Sequence, residues 1–393
     1  MSRAALHFAS RENAKGCPPV KIETISVHAG RKVEPVGGDV TPAIHMSTTF
    51  ERDVDGGFSR GHAYIRESNP GRLSLEQCIA ALEGGEDAIA YASGSAASLA
   101  VFSLLRPGDH VVAPIECYHG TAKQLRSIIG PMGVRHTFVD MTKVDAVRAA
   151  LTDQTRLVWI ETPSNPMLNL SDIQTLAELA HGRGALVCCD NTFATPVWQR
   201  PFELGADLVM HSSTKYFGGH SDVMGGVVVT RDRGGLSEKL HDYQGTAGGV
   251  PAPFDCWLIR RSLTTLACRV RAQTHTAGQL ANFLSRHPQI ERVFYPGLES
   301  HPGHELARKQ MSGFGAMLSF CVRGGRDDAF AVAARLKLFT RASSLGGVES
   351  LIEHRASVEG PHTVTPQNLL RLSVGLEHSD DLMGDLDQAL SER

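Results

Sequence analysis

The amino-acid sequence predicts an α/β protein with a mostly parallel central sheet, followed by a smaller α+β domain. From about Leu73 onward, short apolar runs alternate with stretches of helical periodicity, as in a chain of alternating strands and helices. The apolar runs are continuous, which is expected of strands that are covered on both faces. With 393 residues, of which 42% are hydrophobic, the chain is long enough for two or three domains.

Five predicted strands lie in the first part of the chain, with predicted helices between them. The clearest helix spans residues 171–180, where Ser171 is the expected N-cap and Gly182 is expected to end the helix. Ile173, Leu176 and Leu179 recur on one face of that helix. The predicted strands cover residues 88–91, 110–113, 157–160, 185–189 and 208–210.

A segment rich in Gly and Pro, residues 245–253, predicts a domain boundary. Residues 254–286 then have the pattern of one long, mostly helical element. A predicted strand at 316–320 and a helix at 381–390 suit a smaller α+β domain. We therefore predict an N-terminal arm at 1–65, an α/β domain at 66–250 and an α+β domain at 251–393.

Composition and charge narrow the classes of partner. The 39 Lys and Arg against 42 Asp and Glu give a net charge of −3, which does not favour nucleic acid as a partner. No run approaches the ~18 apolar residues of a membrane helix, so no membrane partner is predicted. The eight cysteines are scattered and contain no C-x-x-C pair, as expected of reduced thiols. These features predict a cytoplasmic protein with a small-molecule ligand.

Lys215 follows the fifth predicted strand in an unusual setting. Ser212 and Thr214 precede it, and Tyr216, Phe217 and two glycines come after it. A lysine after a strand is usually solvated, but partial burial among these neighbours disfavours the ammonium form. A free amine of this kind can attack an aldehyde to form a Schiff base, and the two hydroxyl residues can bind a phosphate.

An acidic residue and a glycine turn follow two other predicted strands. Asp190 comes directly after the strand at 185–189, and Gly94 lies where a strand passes into a helix. Ligands of open α/β sheets bind at such strand ends, and a helix start offers backbone N–H groups to a phosphate. Taken alone, Asp190 would more often be a turn residue and the Gly94 turn a plain helix cap.

Taken together, these residues match the needs of pyridoxal phosphate (PLP). That cofactor requires a lysine for its Schiff base, a carboxylate that keeps its pyridine nitrogen protonated, and a phosphate site. Lys215, Asp190 and the Gly94 turn supply all three. The chain lacks both G-x-G-x-x-G and G-x-x-x-x-G-K-[ST] at this turn, which disfavours a dinucleotide or a nucleoside triphosphate.

The sequence also resembles the Cys/Met-metabolism PLP enzymes, the group of cystathionine γ-synthase, cystathionine γ-lyase, cystathionine β-lyase and methionine γ-lyase. The resemblance extends over nearly the whole chain. It implies a PLP-dependent transferase fold of type I, which is aspartate-aminotransferase-like. The matching motifs are Tyr-Ile-Arg-Glu-Ser-Asn-Pro at 64–70, Glu-Thr-Pro-Ser-Asn-Pro at 161–166, Asp-Asn-Thr at 190–192, His-Ser-Ser-Thr-Lys-Tyr at 211–216, Ser-Leu-Gly-Gly at 344–347 and Leu-Arg-Leu-Ser at 370–373.

The resemblance implies a role for each matched residue. Around the cofactor, Lys215 is the Schiff-base lysine, Asp190 the partner of the pyridine nitrogen, Asn165 a donor near the phenolic oxygen, Tyr118 the stacking tyrosine, and Gly94, Ser95, Ser212 and Thr214 the phosphate cup. Around the substrate, Arg371 is the clamp for the α-carboxylate, with Ser344, Asn165 and Tyr64 assisting. Tyr64 and Arg66 would complete the phosphate cup of a neighbouring subunit in a homotetramer made of two dimers.

The implied reaction is trans-sulfuration at the γ-carbon of cystathionine or of an activated homoserine. Lys215 removes the α-proton after a tyrosinate-like Tyr118 has accepted the substrate's ammonium proton, and a further shift of a β-proton then expels the γ-substituent. Elimination then gives a 2-oxoacid and ammonia, whereas capture by a thiol gives γ-replacement. Cystathionine β-lyase and methionine γ-lyase remain alternatives.

Four departures from the family pattern leave the preferred substrate open. Ser343 stands where relatives that act on cystathionine commonly carry Glu, and His119 replaces a glycine beside Tyr118. Gly71 replaces a threonine, and Val-Glu-Gly at 358–360 replaces Met-Thr-His.

Two hypotheses that assign the protein to another functional class have less support in the sequence. A catalytically silent PLP-binding or regulatory protein would not need Lys215, Tyr118 and Arg371 together. His301 and His304 lie close in sequence, but the loop that holds them contains Pro and Gly, and no H-E-x-x-H motif exists. We therefore predict no metal site.

Overall fold

The larger of two sheets in the protein has seven strands, as seen in a computed structural model that describes residues 20–34 and 37–391. They are β1 Asp87–Tyr91, β2 His110–Pro114, β3 Arg135–Val139, β4 Thr155–Glu161, β5 Leu186–Asp190, β6 Leu208–His211 and β7 Gly226–Thr230. Their spatial order is β1-β7-β6-β5-β4-β2-β3. Strand β7 is antiparallel to both of its neighbours, and the other pairings are parallel. The remaining six strands therefore present their carboxyl ends at one edge.

Helices cover both faces of this sheet because its strands alternate their apolar side chains between the faces. Val111 and Trp159 pack in the cluster that contains α3, whereas Val112 and Val158 pack with α6 on the other face. Helix α2 lies against Val209 and Val229. The helices of this part are α1 Ile22–His28, α2 Pro70–Glu83, α3 Gly94–Phe102, α4 His119–Gln124, α5 Val144–Ala150, α6 Ile173–His181, α7 Thr195–Trp198 and α8 Gly235–Ala247.

The second sheet has five strands and lies in the C-terminal part of the chain. Its strands are β8 Ile290–Phe294, β9 Met317–Val322, β10 Thr340–Arg341, β11 Leu351–Glu353 and β12 Leu369–Ser373, in the order β10-β11-β12-β9-β8. The accompanying helices are α9 Pro253–Leu263, α10 Leu266–Leu284, α11 His304–Gln310, α12 Arg326–Arg335 and α13 Ser379–Ser391. One apolar core joins α2, α9 and α10 to β9 and β12. Among the described helices, none is long and apolar enough to cross a membrane.

The predicted fold class is confirmed, and all five strands predicted for the larger sheet are present. The segment 254–286 is mostly helical, as predicted, but it is not one element, because Thr264 and Thr265 separate α9 from α10. Their hydroxyls donate to the carbonyls of Arg261 and Ser262, a local alternative to helical bonding. The prediction of Ser171 as the N-cap of α6 is also wrong, because Asp172 holds that position.

Candidate active site

A cavity of about 430 Å³ lies at the carboxyl edge of the larger sheet. Its wall combines residues that follow β1, β4, β5 and β6 with residues of the second sheet and its loops. The cavity therefore brings together segments that are far apart in sequence. The predicted site residues that line it are Gly94, Ser95, Tyr118, Asn165, Asp190, Ser212, Thr214, Lys215, Ser344 and Arg371.

Lys215 lies in the turn after β6, and protein encloses most of its side chain. Its Nζ donates a hydrogen bond of 2.9 Å to Oγ of Ser344. Burial, followed by the charge of Arg371, lowers the pKa of Lys215 to about 8. Ser344 holds its hydroxyl there from a backbone φ of 108°, which residues with a side chain rarely adopt. A minority of the amine is thus neutral and nucleophilic near physiological pH, a far larger share than for an ordinary lysine.

Asp190 ends β5 and faces the same cavity. Its Oδ1 accepts hydrogen bonds from the backbone N–H of Thr192 at 3.0 Å and from the Thr192 hydroxyl. No described residue donates to Oδ2. Protein surrounds the carboxyl except on the cavity side, and this desolvation raises the pKa of Asp190 although both Thr192 bonds oppose the shift. No described residue forms an ion pair with this carboxylate, and a protonated ring nitrogen in the cavity could do so.

The turn between β1 and α3 offers an anion site. Ser93 caps α3 by accepting a hydrogen bond of 3.1 Å from the backbone of Ala96, while the N–H groups of Gly94 and Ser95 have no helical acceptor. A Cβ at position 94 would lie 2.8 Å from Ser212, so only glycine lets the two strand ends come this close. Ser212 keeps its hydroxyl free of partners in the described chain.

Thr214 is less available than the sequence predicts. Its hydroxyl donates to the carbonyl of Gly225 at 3.1 Å and accepts from the N–H of the same residue at 3.0 Å. The Thr214 hydroxyl thus fastens the loop before β7 to the turn that carries Lys215. It would have to release the Gly225 carbonyl before donating to a phosphate.

Arg371 is buried on β12 and reaches the cavity from the second sheet. Its Nη1 donates to Oδ1 of Asn165 at 2.9 Å, and its Nη2 donates to the Ser344 carbonyl at 2.9 Å and to Glu353 at 2.8 Å. Its Nε is buried and has no partner in the part of the chain that the structure describes. Burial lowers the pKa of Arg371 to about 10, so the guanidinium stays charged at neutral pH. An unpaired N–H of a fixed guanidinium suits recognition of a carboxylate.

Tyr118 stands at the start of α4 with its ring half exposed. Its backbone N–H donates to buried Glu161 at 2.8 Å, which fixes the residue at the cavity wall. A Cβ at position 120 would lie 2.4 Å from the ring, so Gly120 makes room for it. The neighbouring His119 ring lies 4.7 Å away between centroids. Burial, and then the charge of Arg355, lower the pKa of His119 and favour its neutral form.

Two charged residues at this end of the second sheet are not among the predicted site residues. Arg355 lines the cavity, and Glu353 lies opposite Arg371 in the register of β11 and β12 and accepts hydrogen bonds from both arginines. Burial raises the pKa of Glu353, but the charges of Arg371 and Arg355 outweigh burial and hold it below its usual value. The signal was present in the sequence, since both charges follow the apolar Leu351 and Ile352 at the end of a strand.

Tyr64 and Arg66 do not line this cavity. The side chain of Arg66 is 45% exposed, lies over the Tyr64 ring at 5.7 Å and forms an ion pair of 3.1 Å with Glu67. Buried Arg72 donates to the carbonyls of residues 65 and 66 at 2.8 and 3.2 Å. Within the described chain, both side chains are therefore held at the surface.

The donor set of the cavity fits PLP. Its aldehyde, ring nitrogen and phosphate require a nucleophilic amine, a carboxylate and N–H donors, respectively. Lys215, Asp190 with its unpaired Oδ2, and the start of α3 with Ser212 provide these groups around one cavity.

Comparisons with known proteins agree with this chemistry. Cystathionine gamma-synthase of Mycobacterium tuberculosis is 48% identical over 373 residues, which are 93% of this chain and 96% of that protein. Cystathionine gamma-lyase of Dictyostelium discoideum is 43% identical over 380 residues, 95% and 98% of the two chains. The crystal structure of metB from Corynebacterium glutamicum superposes with a TM-score of 0.92 at 43% identity, covering 94% of this chain and 98% of that one.

The pattern of the Cys/Met metabolism PLP-dependent enzymes matches residues 23–391. That match includes every site residue described above. The chain belongs to the family of Cys/Met metabolism PLP-dependent enzymes.

Proposed function

We propose that this enzyme replaces the γ-substituent of an activated homoserine with the thiol of cysteine and so forms cystathionine. The observation that carries the proposal is the position of Lys215 beside Ser344 and Arg371, in one cavity with Asp190. This arrangement combines a base, a carboxylate clamp and a cofactor anchor. The name of the 48% identical relative, cystathionine gamma-synthase, supports replacement over elimination.

When bound, PLP supplies an electron sink that acidifies the hydrogen on the carbon that carries the substrate's amino group, and then the hydrogens on the adjacent β-carbon. Lys215 would hold its aldehyde, Asp190 its ring nitrogen, and Gly94, Ser95 and Ser212 its phosphate. The negative charge of Asp190 stabilises a protonated ring nitrogen. Asn165, fixed by its 2.9 Å bond from Arg371, keeps its amide nitrogen available as a donor.

Positioning and proton transfer would fall to side chains on opposite sides of the cavity. Arg371 would bind the substrate's α-carboxylate, with its Nε as the donor that has no partner among the described residues, and Tyr118 in its phenolate form would accept the ammonium proton. Once its amine is free, Lys215 takes the α-proton on Nζ, a step suited to its pKa of about 8. The 2.9 Å hydrogen bond to Ser344 would hold Nζ of Lys215 in one position before and after the proton transfer.

γ-Elimination from cystathionine is the second candidate, because cystathionine gamma-lyases also match nearly the whole chain. Both reactions share the steps at Lys215. They differ only in what reacts with the γ-carbon after the γ-substituent has left: a thiol in replacement, and a proton in elimination. Three incubations separate them: O-succinyl-L-homoserine with cysteine, cystathionine alone, and methionine alone. Cystathionine as the main product of the first supports the proposal, and 2-oxobutanoate as the main product of the second supports elimination. No turnover in any incubation would refute both.

The proposed active unit is a dimer, and two such dimers would form a homotetramer. Tyr64 and Arg66 are held at the surface by the buried Arg72, outside their own cavity. An exposed cation over an aromatic ring at a fixed backbone suits a phosphate in a neighbouring subunit. Sedimentation at several protein concentrations would measure the assembly, and a monomer at micromolar concentration would contradict it.

A further inference from the structure

Arg355 is a second buried guanidinium in the wall of the active-site cavity. It begins the short 3₁₀ turn Arg355–Ser357 after β11 and is 4% exposed. Its Nη1 donates to Glu353 at 2.9 Å, and its Nε donates to Glu359 at 3.2 Å. Its Nη2 is buried and has no partner among the described residues. One donor of the planar group is therefore unused in a residue that lines the cavity.

The carboxylates that hold Arg355 are themselves fixed. Glu353 also accepts from Arg371 at 2.8 Å, and Glu359 accepts from the hydroxyls of Thr363 and Thr365 at 2.6 and 2.7 Å. These contacts determine the plane of the Arg355 guanidinium before any ligand arrives. A donor fixed in advance loses little entropy when it binds an anion.

A purely structural ion pair does not account for the unused donor. A buried N–H of a charged group without an acceptor is destabilising, so its retention in the cavity wall suggests an acceptor that arrives with the substrate. His119 lies in the same wall and also has a buried ring nitrogen, Nδ1, without a partner. Burial, and then the charge of Arg355, lower the pKa of His119, whereas the charges of Glu359 and Glu353 raise it.

We propose that Arg355 binds an anionic group, a carboxylate or a phosphate, at the far end of the substrate's γ-substituent. The inference rests on the proposed function, in which Arg371 already binds the α-carboxylate. A second guanidinium in the same cavity then serves a second anion of the same molecule. Ser343, whose hydroxyl donates to Glu353, adds no charge of its own that would repel this anion. Arg355 thereby selects substrates with a charged γ-substituent over neutral ones such as an acetyl ester.

Binding of amino acids that cannot lose a γ-substituent tests this role in the holoenzyme. L-2-Aminoadipate ends in a carboxylate, L-2-amino-4-phosphonobutyrate in a phosphonate and L-norleucine in a methyl group. We expect the wild-type protein to bind at least one of the two anions roughly 10-fold or more tightly than norleucine, measured by calorimetry or by the cofactor's absorption. The anion whose affinity exceeds that of norleucine by the larger factor shows whether the natural group is a carboxylate or a phosphate.

Arg355→Gln should reduce that preference to about 3-fold or less and leave norleucine binding unchanged. Arg308→Gln, on the surface of α11, is the matched control and should keep the wild-type preference. If Arg355→Gln fails to fold because Glu353 and Glu359 lose their partner, the double variant Arg355→Gln, Glu359→Gln is measured instead of the single variant. This double variant removes one positive and one negative charge.

Two results would overturn the inference. One is a wild-type protein that does not distinguish either anion from norleucine, and the other is a preference that survives the loss of Arg355. The binding measurement needs no turnover. Absence of product from O-succinyl-L-homoserine would thus count against the proposed function alone, while an Arg355-dependent preference would still be measurable.

Discussion

At the scale of single residues, the environment of Lys215 distinguishes it from the surface lysines of the chain. Desolvation and the charges of Arg371 and Arg355 lower its pKa, and the charge of Glu353 opposes them. The same burial that makes the ammonium unfavourable holds Nζ against Ser344. Chemical reactivity and position therefore have one physical origin.

Replacing Lys215 should remove covalent attachment of the cofactor. In Lys215→Ala, we expect that borohydride no longer fixes PLP to the protein, because no other amine lines the described cavity. Mass spectrometry after reduction measures the bound cofactor. Lys239→Ala, an exposed residue of α8, is the control and should retain one fixed PLP per chain. Full fixation in Lys215→Ala would assign the bond to another amine.

The lowered pKa of Lys215 predicts how cofactor attachment depends on pH. The apoprotein should react with PLP at a rate that rises with pH, reaches half of its maximum near pH 8 and levels off about one unit higher, where most of the amine is neutral. N-acetyl-lysine amide, with an ordinary pKa of ~10.4, is the reference that cancels the ionisations of the cofactor itself. A protein rate that climbs through pH 10 in parallel with this reference would contradict the assignment.

We expect Arg371 to bind the substrate's α-carboxylate through the planar arrangement of its N–H donors and not only through its positive charge. Arg371→Lys keeps one positive charge but loses the planar donors, and we expect KM to rise roughly 10-fold or more. The amide of the same amino acid lacks the carboxylate charge and serves as the control. Its KM should change much less, and an equal rise for acid and amide would indicate general damage to the site.

At the scale of elements, the sequence predicts the parts of the site that depend on strand ends. Asp190, Lys215 and Gly94 follow runs that are recognisable as buried strands, and parallel strands bring their carboxyl ends to one edge. Glu353 and Arg371 could not be paired in this way. They meet because β11 and β12 are antiparallel in one particular register, which depends on packing across the second sheet.

The N-cap of α6 is another feature that the sequence pattern alone does not locate, and its position leads to a prediction about stability. Asp172 accepts a hydrogen bond of 3.0 Å from the N–H of Thr175 and lies 3.6 Å from Lys309. Asp172→Ala should therefore lower the free energy of unfolding by about 1 kcal/mol. Ser171→Ala is the matched control, because no described residue bonds to the Ser171 hydroxyl.

Thermal unfolding of the holoenzyme measures both variants of α6. We expect a lower melting temperature for Asp172→Ala and a change of less than about 0.5 kcal/mol for Ser171→Ala. The reverse order would mean that the helix begins at Ser171 after all.

At the scale of the whole molecule, the proposed dimer makes each site depend on two chains. If Arg66 serves the neighbouring cavity, Arg66→Ala and Lys215→Ala damage different halves of one site. Dimers of either variant alone should be nearly inactive. A hybrid dimer, by contrast, contains one site with both Lys215 and the Arg66 of the other chain intact.

Mixing the two inactive variants after dissociation, or co-expressing them, should therefore restore activity. Random association places half of the chains in hybrids with one intact site of two, so roughly a quarter of wild-type activity is expected. Co-expression of Lys215→Ala with Asp190→Asn is the control, because both residues line the same cavity and every hybrid site stays damaged. Activity in the control, or none in the Arg66 mixture, would mean that Arg66 does not act across the interface.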